Sequence, residues 1–428
     1  MTLSASLSPG RGNAVYQPDS PASTSMAVDA FANGVLHSDS GAHGQSHKRP
    51  VTRSQTQGLA NGHTDLEQHA QPRVLVHNGR SFPLPPGLTD EQYQLIRESP
   101  FLDLDSPMTA YEWFKLVLFM PYLLIRICLI ILLMPPCWLF GWVITRGAQP
   151  NQPLPVWREN IIRPFARFWA LILLWLGMNF YFSVKGQENI PEARKEKAMI
   201  TINHASYVDA LALGQVFVPC GLAKSSVINV PFFGTFAVML QFLFVERRNS
   251  ADKHHNKSQK GSVTALIHER NADSRYPLFL MMPEGTTKGS NTLLPFSSGA
   301  FAFGRPVLPV LMHYRSKHFN VGWGAIQSIA FHILRMQAQF INHLTIEILP
   351  VYYPSPEEQK DARLYAENVR RYMAEKLGAK LTTHGMKEHS ELKKARVCVD
   401  WTGKRIIQLP PKAAKGGNGK TVSAKKNE

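Results

Sequence analysis

Three short stretches of this chain carry residue types that do chemistry. In AMITINHASYVDA, residues 198–210, the apolar run from Ala198 to Ile202 gives way to Asn203, His204, Ser206 and Asp209 before apolar residues return at Leu211 and Leu213. An imidazole and a carboxylate five positions apart, where a strand becomes a helix, suit a general base and the group that orients it. The carboxylate accepts one ring N–H and leaves the other nitrogen to take a proton. That is two thirds of a hydrolytic triad with no nucleophile, and a substrate that brings its own hydroxyl needs none. The competing explanation is architectural: Ser206 or Asp209 caps the helix that follows. In MMPEGTTKGSN, residues 281–291, Pro283–Thr287 is a polar, glycine-containing turn after an apolar strand. Such a turn presents backbone N–H groups to an anion, but its order of Gly, Lys and Ser/Thr is not that of a P-loop. FVERRNS, residues 244–250, ends a strand in Glu246, Arg247 and Arg248. A guanidinium fork there binds two phosphate oxygens, or decorates a solvated edge.

The elements that must position these groups follow from the apolar pattern. Strand-like runs occupy 198–203, 242–247, 277–283, 305–314 and 344–353. Helix-like stretches lie around 207–218, 257–269, 329–341 and 357–377, the last with Leu364, Val369, Tyr372, Met373 and Leu377 on one face. Alternating elements of this kind predict an α/β domain, a mixed sheet flanked by helices. Ligands in such sheets bind beyond the carboxyl ends of strands. His204 and Glu284 each fall just past a strand end, which predicts that they converge on one site.

Taken in order, NHASYVD, FVERR, PEGTT and PVLPV resemble the four sequence blocks of the glycerolipid acyltransferase family, over roughly residues 185–380. The stretches LPFSSGAFAFGRPVLPVLMHY and LPVYYPSPEEQKDARLYAENVRRYMAEKLG are similar to the lysophospholipid acyltransferase branch, above all its plant lysophosphatidylethanolamine enzymes. The resemblance implies the glycerolipid acyltransferase fold, a lysophospholipid acceptor and acyl-CoA as co-substrate rather than a cofactor. It implies His204 as the base on the acceptor's glycerol hydroxyl, Asp209 as its orienting group and Arg247 on the acceptor phosphate. Glu284, Gly285 and Thr286 would line the acceptor site, with Pro309 shaping its wall and backbone amides forming the oxyanion hole. The doubled Arg247-Arg248 after Glu246 departs from the usual second block, so either arginine fits the phosphate role. Some relatives carry calcium-binding EF-hands after the catalytic domain. No such loop follows residue 380, so no calcium dependence of that kind and no metal site are expected. Acylation of lysophosphatidic acid is the alternative activity, and a non-catalytic membrane scaffold the alternative class.

Composition bounds the rest. The 428 residues carry a net charge of +16, 44% hydrophobic residues and four scattered cysteines, Cys128, Cys137, Cys220 and Cys398, whose spacing implies neither a disulfide framework nor a zinc site. Positive charge suits nucleic acid or an anionic membrane face. Nucleic acid is disfavoured, because no aromatic residue interleaves the basic tail after Trp401. Two apolar runs, Tyr111–Ile144 and Phe168–Val184, have no polar face and predict N-terminal membrane-embedded helices. The first contains Arg126 and the pair Pro135-Pro136, expected to kink or end a helix, and the second is short of the roughly 20 residues that span a bilayer. Arg146, Arg158, Arg163 and Arg167 against Glu159 mark the connecting segment as cytosolic. That sits badly with two full spans having both outer flanks cytosolic. A hairpin that enters and leaves one leaflet is the other arrangement, and the expectation is an integral membrane protein with the number of crossings open. The expected organisation is a disordered tail over 1–85, whose Ser-rich, acid-poor start has too few arginines for a clear plastid transit peptide. A membrane-associated region follows over 86–184, a catalytic domain over 185–380 and a basic tail over 381–428. Lys425 and Lys426 stand fourth and third from the last residue, resembling a cytosolic dilysine signal of endoplasmic-reticulum membrane proteins.

Overall fold

The computed structural model describes residues 73–246, 253–289, 291–315 and 317–410, with side chains of 253–262 left aside. The chain opens with a hairpin, β1 (Val74–His77) and β2 (Arg80–Pro83), paired antiparallel around Asn78-Gly79. Both turn residues have positive φ, 47° and 72°. This is the twist that a two-residue turn between right-handed strands requires, and Asn-Gly supplies it at least cost. Helix α1 (Asp90–Arg97) starts on a capping box, in which the Thr89 side chain accepts from Gln92 N–H and Gln92 reaches back to Thr89 N–H.

Three apolar helices follow: α2 (Ala110–Leu118), α3 (Met120–Ile144) and α4 (Val156–Ile172), the last prolonged by a π-turn over Leu173–Gly177. Helix α3 and the stretch Val156–Gly177 are long and apolar enough to cross a membrane, with only 17% and 22% of their most apolar windows buried in the protein. Pro135 and Pro136 do not end α3, which continues to Ile144. Each proline forfeits one backbone hydrogen bond, and an apolar helix has no competing water to take over the freed carbonyls. The second apolar run divides. Its last part is not membrane helix but strand β3 (Phe180–Lys185), because Gly177 and the positive φ of Asn179 break the helix. Phe180, Phe182 and Val184 then alternate with Tyr181, Ser183 and Lys185, the period of a strand with one covered face.

The central sheet comprises β3, β4 (Met199–Ile202), β7 (Leu280–Met281), β9 (Val307–Arg315) and β10 (Asn342–Ile348). Its order is β3-β10-β9-β4-β7, with β9 antiparallel to β10 and the other neighbours parallel. The mixed sheet expected from the sequence is therefore present. Strands β5 (Leu222–Lys224) and β6 (Leu243–Val245) pair separately, and β8 (Thr292–Leu293) pairs with β11 (Lys380–Leu381). Both sheet faces are covered. Leu308, Val310, Ile200 and Ile346 pack with Ala212 and Leu213 of α5 (Asp209–Val216) and Met336 of α8 (Ile329–Gln337). Met199, Phe279, Val307 and Leu311 pack with Tyr365, Val369 and Met373 of α9 (Ala362–Leu377). In chain order, α6 (Phe233–Met239) and α7 (Lys253–Ala272) fall between α5 and α8.

The boundaries at 85 and 381 need correction. Leu75, Phe82, Ile96 and Phe101 share a core with Leu392 of α10 (Met386–Ala395), Val397 and Val399 of β12 (Val397–Val399) and Ile406 of β13 (Ile406–Gln408). Residues 73–85 and 386–410 are thus ordered parts of the domain. Each segment is too sparse in apolar residues to bury a core alone, and their partnership across some three hundred positions has no local signature.

Candidate active site

Strand β4 stops where the chain needs a loop. Asn203 extends the sheet by side chain: its Nδ2 donates to Met312 O at 3.1 Å and its Oδ1 accepts from Met312 N–H at 2.8 Å. His204 comes next, and Asp209 begins α5. The Asp209 carboxylate is fully buried and takes four donors: His204 Nδ1 at 2.9 Å, Ala205 N–H at 2.8 Å, Ser206 N–H at 3.0 Å and the Tyr314 hydroxyl. The amides and the phenol can only donate to it, so the carboxylate acts as acceptor toward the ring as well. His204 Nδ1 therefore carries the proton and Nε2 is the bare, basic nitrogen. Among the described residues nothing bonds Nε2, and it is not sealed away from solvent. The Tyr314 phenol is pushed well above its ordinary range by burial, by the charge of Asp209 and by its bond to that carboxylate. It stays a neutral donor.

The PEGTT turn locks this loop from behind. Gly285 N–H donates to Met282 O at 3.0 Å, and Gly285 has φ of 76°, the left-handed conformation a glycine adopts freely. Glu284 is buried and does not reach outward. Its Oε1 accepts His204 N–H at 2.7 Å, its Oε2 accepts Leu294 N–H at 2.8 Å, and Lys288 Nζ is paired with the same carboxylate. Thr286 turns the other way, its hydroxyl 2.6 Å from His389 Nδ1 on α10, whose ring stacks on Phe101.

The sequence-derived site residues divide accordingly. His204, Asp209, Glu284 and Gly285 come together, with Glu284 a buried tie instead of a lining group. Thr286 faces the C-terminal segment. Pro309 sits inside β9, buried opposite Thr201, three residues short of Met312. A proline in a central strand lacks a ladder donor. Here the partner strand bulges to accommodate it, for Leu349 N–H meets Pro309 O while Val307 and Tyr352 exchange both hydrogen bonds, so three residues face two. Arg247 and Arg248 lie outside the described residues. Tyr314, Lys288 and Asn203 are the site residues that sequence reasoning missed as such. The signal available was the strand period: Tyr314 shares the face of Met312 and Val310, turned toward the loop after β4.

A cleft of about 540 Å³ adjoins the histidine loop at Asn203 and Ala205. Lys185, Lys288, Arg315 and Lys317 line it against Asp105 and Glu347, and Glu347 already bonds His313 at 2.9 Å. Among the described residues no group of three His, Cys, Asp or Glu is placed to hold a metal.

The fold and the paired His204 and Asp209 define an α/β protein with an imidazole–carboxylate pair at the end of a mixed sheet. Residues 181–313 match the Acyltransferase family model. It is similar to the lysophospholipid acyltransferase LPEAT1 of Arabidopsis thaliana, 34% identical over 51% of this chain and 59% of that one. LPEAT2 of the same plant is 31% identical over 67% of this chain and 51% of its own. Lysophosphatidylcholine acyltransferase 1 of Rattus norvegicus is 31% identical over 61% and 48%. The chain thus spans about half the length of the curated relatives it matches. Among solved structures, the 1-acyl-sn-glycerophosphate acyltransferase PlsC of Thermotoga maritima aligns at 20% identity with a TM-score of 0.35, over 60% of this chain and all of that one.

Proposed function

We propose that the protein transfers a fatty acyl group from acyl-CoA to the free glycerol hydroxyl of a lysophospholipid, with lysophosphatidylethanolamine the preferred acceptor. The observation that carries this reading is His204, held by Asp209 with Nε2 bonded to no serine or cysteine side chain among the described residues. Nε2 takes the proton as the acceptor oxygen attacks the thioester carbon. The tetrahedral intermediate then collapses, the C–S bond breaks, and the departing thiolate of CoA recovers the proton from His204. The protein forms no covalent intermediate. Cations along the adjoining cleft suit the phosphates of either substrate, and Arg247 or Arg248 is the proposed phosphate ligand of the second block. The ethanolamine headgroup rests on the resemblance of the LPFSSGAFAFGRPVLPVLMHY stretch to the plant branch, while the names of the animal relatives keep choline as the competitor.

The membrane reading is a hairpin in one leaflet of the endoplasmic reticulum, with the catalytic domain and the Lys425-Lys426 tail in the cytosol. Helix α3 supports it by touching the domain at both ends. Arg126 Nη1 donates to Gln337 O at 2.9 Å, and Trp138 Nε1 donates to Thr235 Oγ1 at 3.1 Å, twelve residues further on. At 1.5 Å per residue those contacts lie about 18 Å apart along the helix, so α3 runs along the domain instead of leaving it end-on.

The test is purified protein in vesicles assayed with oleoyl-CoA against a panel of lysolipid headgroups. His204→Ala is expected to lose about 10²- to 10⁴-fold in rate, the worth of a positioned general base. Asp209→Asn is expected to lose heavily too, with the losses far from additive because the pair acts as a unit. Normal transfer by His204→Ala, or a trapped acyl-enzyme on the reaction path, contradicts the mechanism. Strong preference for lysophosphatidic acid over every zwitterionic lysolipid replaces the acceptor assignment.

A further inference from the structure

Helix α2 is folded inside out. Its two charged residues, Glu112 and Lys115, are buried, whereas Tyr111, Phe114, Val117 and Leu118 are exposed, Phe114 and Val117 by 64% and 69%. Charges taken out of water cost several kcal/mol each unless paired and hydrogen bonded, and these are fully engaged. Lys115 pairs with Glu112 and donates to Gln339 Oε1 at 2.7 Å, Gln339 Nε2 donates to Glu112 Oε2 at 3.1 Å, and Arg335 lies 3.7 Å from that carboxylate. A helix bathed in water on its outer side is stabilised by the opposite arrangement. The pattern is that of a surface whose outer solvent is apolar.

The same inversion continues across the neighbouring elements. Arg335 and Gln339 belong to α8 and the turn that follows it, where Phe340 and Ile341 are 69% and 47% exposed. The Phe340 ring lies 6.0 Å from that of Phe119, at the corner between α2 and α3. In α3, Leu124, Ile125 and Ile127 face outward while Arg126 is buried, its guanidinium 4.2 Å from the Tyr122 ring centroid and bonded to the Tyr122 hydroxyl at 2.9 Å. Charge points inward and apolar surface outward on all three elements. Beside this surface is a basic edge. His343 pairs with Tyr181 on one side and Arg315 on the other, and exposed Lys317 and His318 follow, the His318 ring 5.0 Å from that of Tyr111.

We infer that the catalytic domain itself sits in the leaflet, with α2 and the Phe340–Ile341 turn inserted beside α3 and with Arg315, Lys317 and His318 against lipid phosphates. Two observations select a phospholipid leaflet over a protein partner. The apolar surface runs without a polar rim into α3, which exposes apolar residues along its length, whereas protein interfaces are bounded by polar residues. The edge that does bound it is cationic, and Lys and Arg side chains near an anionic leaflet are drawn to its phosphates. Strand β4 is parallel to β9, so the loop carrying His204 opens at the Arg315 end of the sheet. A lysolipid in the leaflet then reaches the base by its glycerol hydroxyl without leaving the membrane. That last step rests on the proposed acyl transfer; the insertion itself does not.

The experiment reads insertion without any assay of activity. Full-length protein carrying Cys128→Ser, which removes the exposed native cysteine while the other three are buried, takes Phe340→Cys labelled with the fluorophore NBD. It is placed in phosphatidylcholine vesicles containing about one fifth phosphatidylserine, an anionic fraction chosen to give the negative surface described above. Emission at position 340 is expected to be blue-shifted and quenched at least twofold by nitroxide-labelled lipid, and to resist aqueous iodide. Val76→Cys, on the exposed N-terminal hairpin, is expected to behave in the reverse way. Ile341→Cys repeats the measurement if the Phe340 variant does not fold. Quenching of position 340 by iodide and not by lipid overturns the inference. So does efficient disulfide cross-linking between two unlabelled copies of the Phe340→Cys variant, which assigns the surface to self-association.

Discussion

At the level of single residues the proposed base is set by its surroundings. His204 owes its tautomer to an Asp209 carboxylate that also accepts from two loop amides and one phenol. Tyr314 is the part of that shell that can be removed with least disturbance. Tyr314→Phe deletes a hydrogen bond to a charged group, worth about 1.5–3 kcal/mol. We expect roughly a tenfold or greater fall in kcat with KM little changed, since the phenol acts through its bond to Asp209. Steady-state kinetics on vesicle-bound acceptor check it, and a KM effect with kcat intact contradicts it.

At the level of elements, the PEGTT turn is a brace. Glu284 holds His204 by its backbone and Leu294 by another, and Lys288 neutralises the buried charge. Glu284→Gln leaves the buried Lys288 ammonium without a counter-charge, which costs about 3–5 kcal/mol. Denaturant unfolding of the detergent-solubilised protein is expected to show that loss, accompanied by loss of activity; a change below about 1 kcal/mol removes the brace. Helix α10 adds a dependence on acid. Burial, and secondarily the charge of Lys393, pushes the His389 imidazole down to about 3, and burial pushes His332 on α8 down to about 4, both from an ordinary value of 6.5. The folded state therefore keeps both rings neutral while the unfolded chain protonates them. Stability from these groups is intact above pH 6.5 and declines as pH falls toward 4, with His389 contributing down to about 3. His389→Asn is expected to lower stability at pH 7 but to flatten its decline between pH 6.5 and 4.5. Parallel pH-dependent melts of the two proteins decide it, and an unchanged slope contradicts it.

At the level of the whole molecule, the long apolar helices and the α/β domain pack together. Helix α4 packs on α5, with Arg167 Nη2 donating to Val216 O at 2.8 Å, and α3 packs on α6 and α8. Attachment through apolar helices is indifferent to salt and to deprotonation of lysines, whereas attachment through a basic tail is screened within about 10 Å at 0.1 M salt. The protein is expected to stay with membranes through both high-salt and alkaline carbonate washing. Its appearance in the alkaline supernatant contradicts integral attachment.

How much was legible in the sequence follows from the range of each interaction. The alternation of apolar residues announced the strands at 199, 243, 307 and 342 to within a few positions, and the spacing of His204 and Asp209 announced the pair, because both depend on residues adjacent in the chain. Asn78-Gly79 between VLVH and RSFP was an equally local hairpin signal that composition obscured. Strand β3 was harder to see, since its residues continue the apolar run of α4 and only the break at Gly177–Asn179 separates them. Only the tertiary structure decided that Glu284 points inward at His204 instead of outward at a substrate, that Tyr314 completes the base, and that the two ends of the domain share a core. Local pattern determines which element forms and which face is apolar; contacts across tens or hundreds of residues form only when whole elements pack, and no short stretch records them.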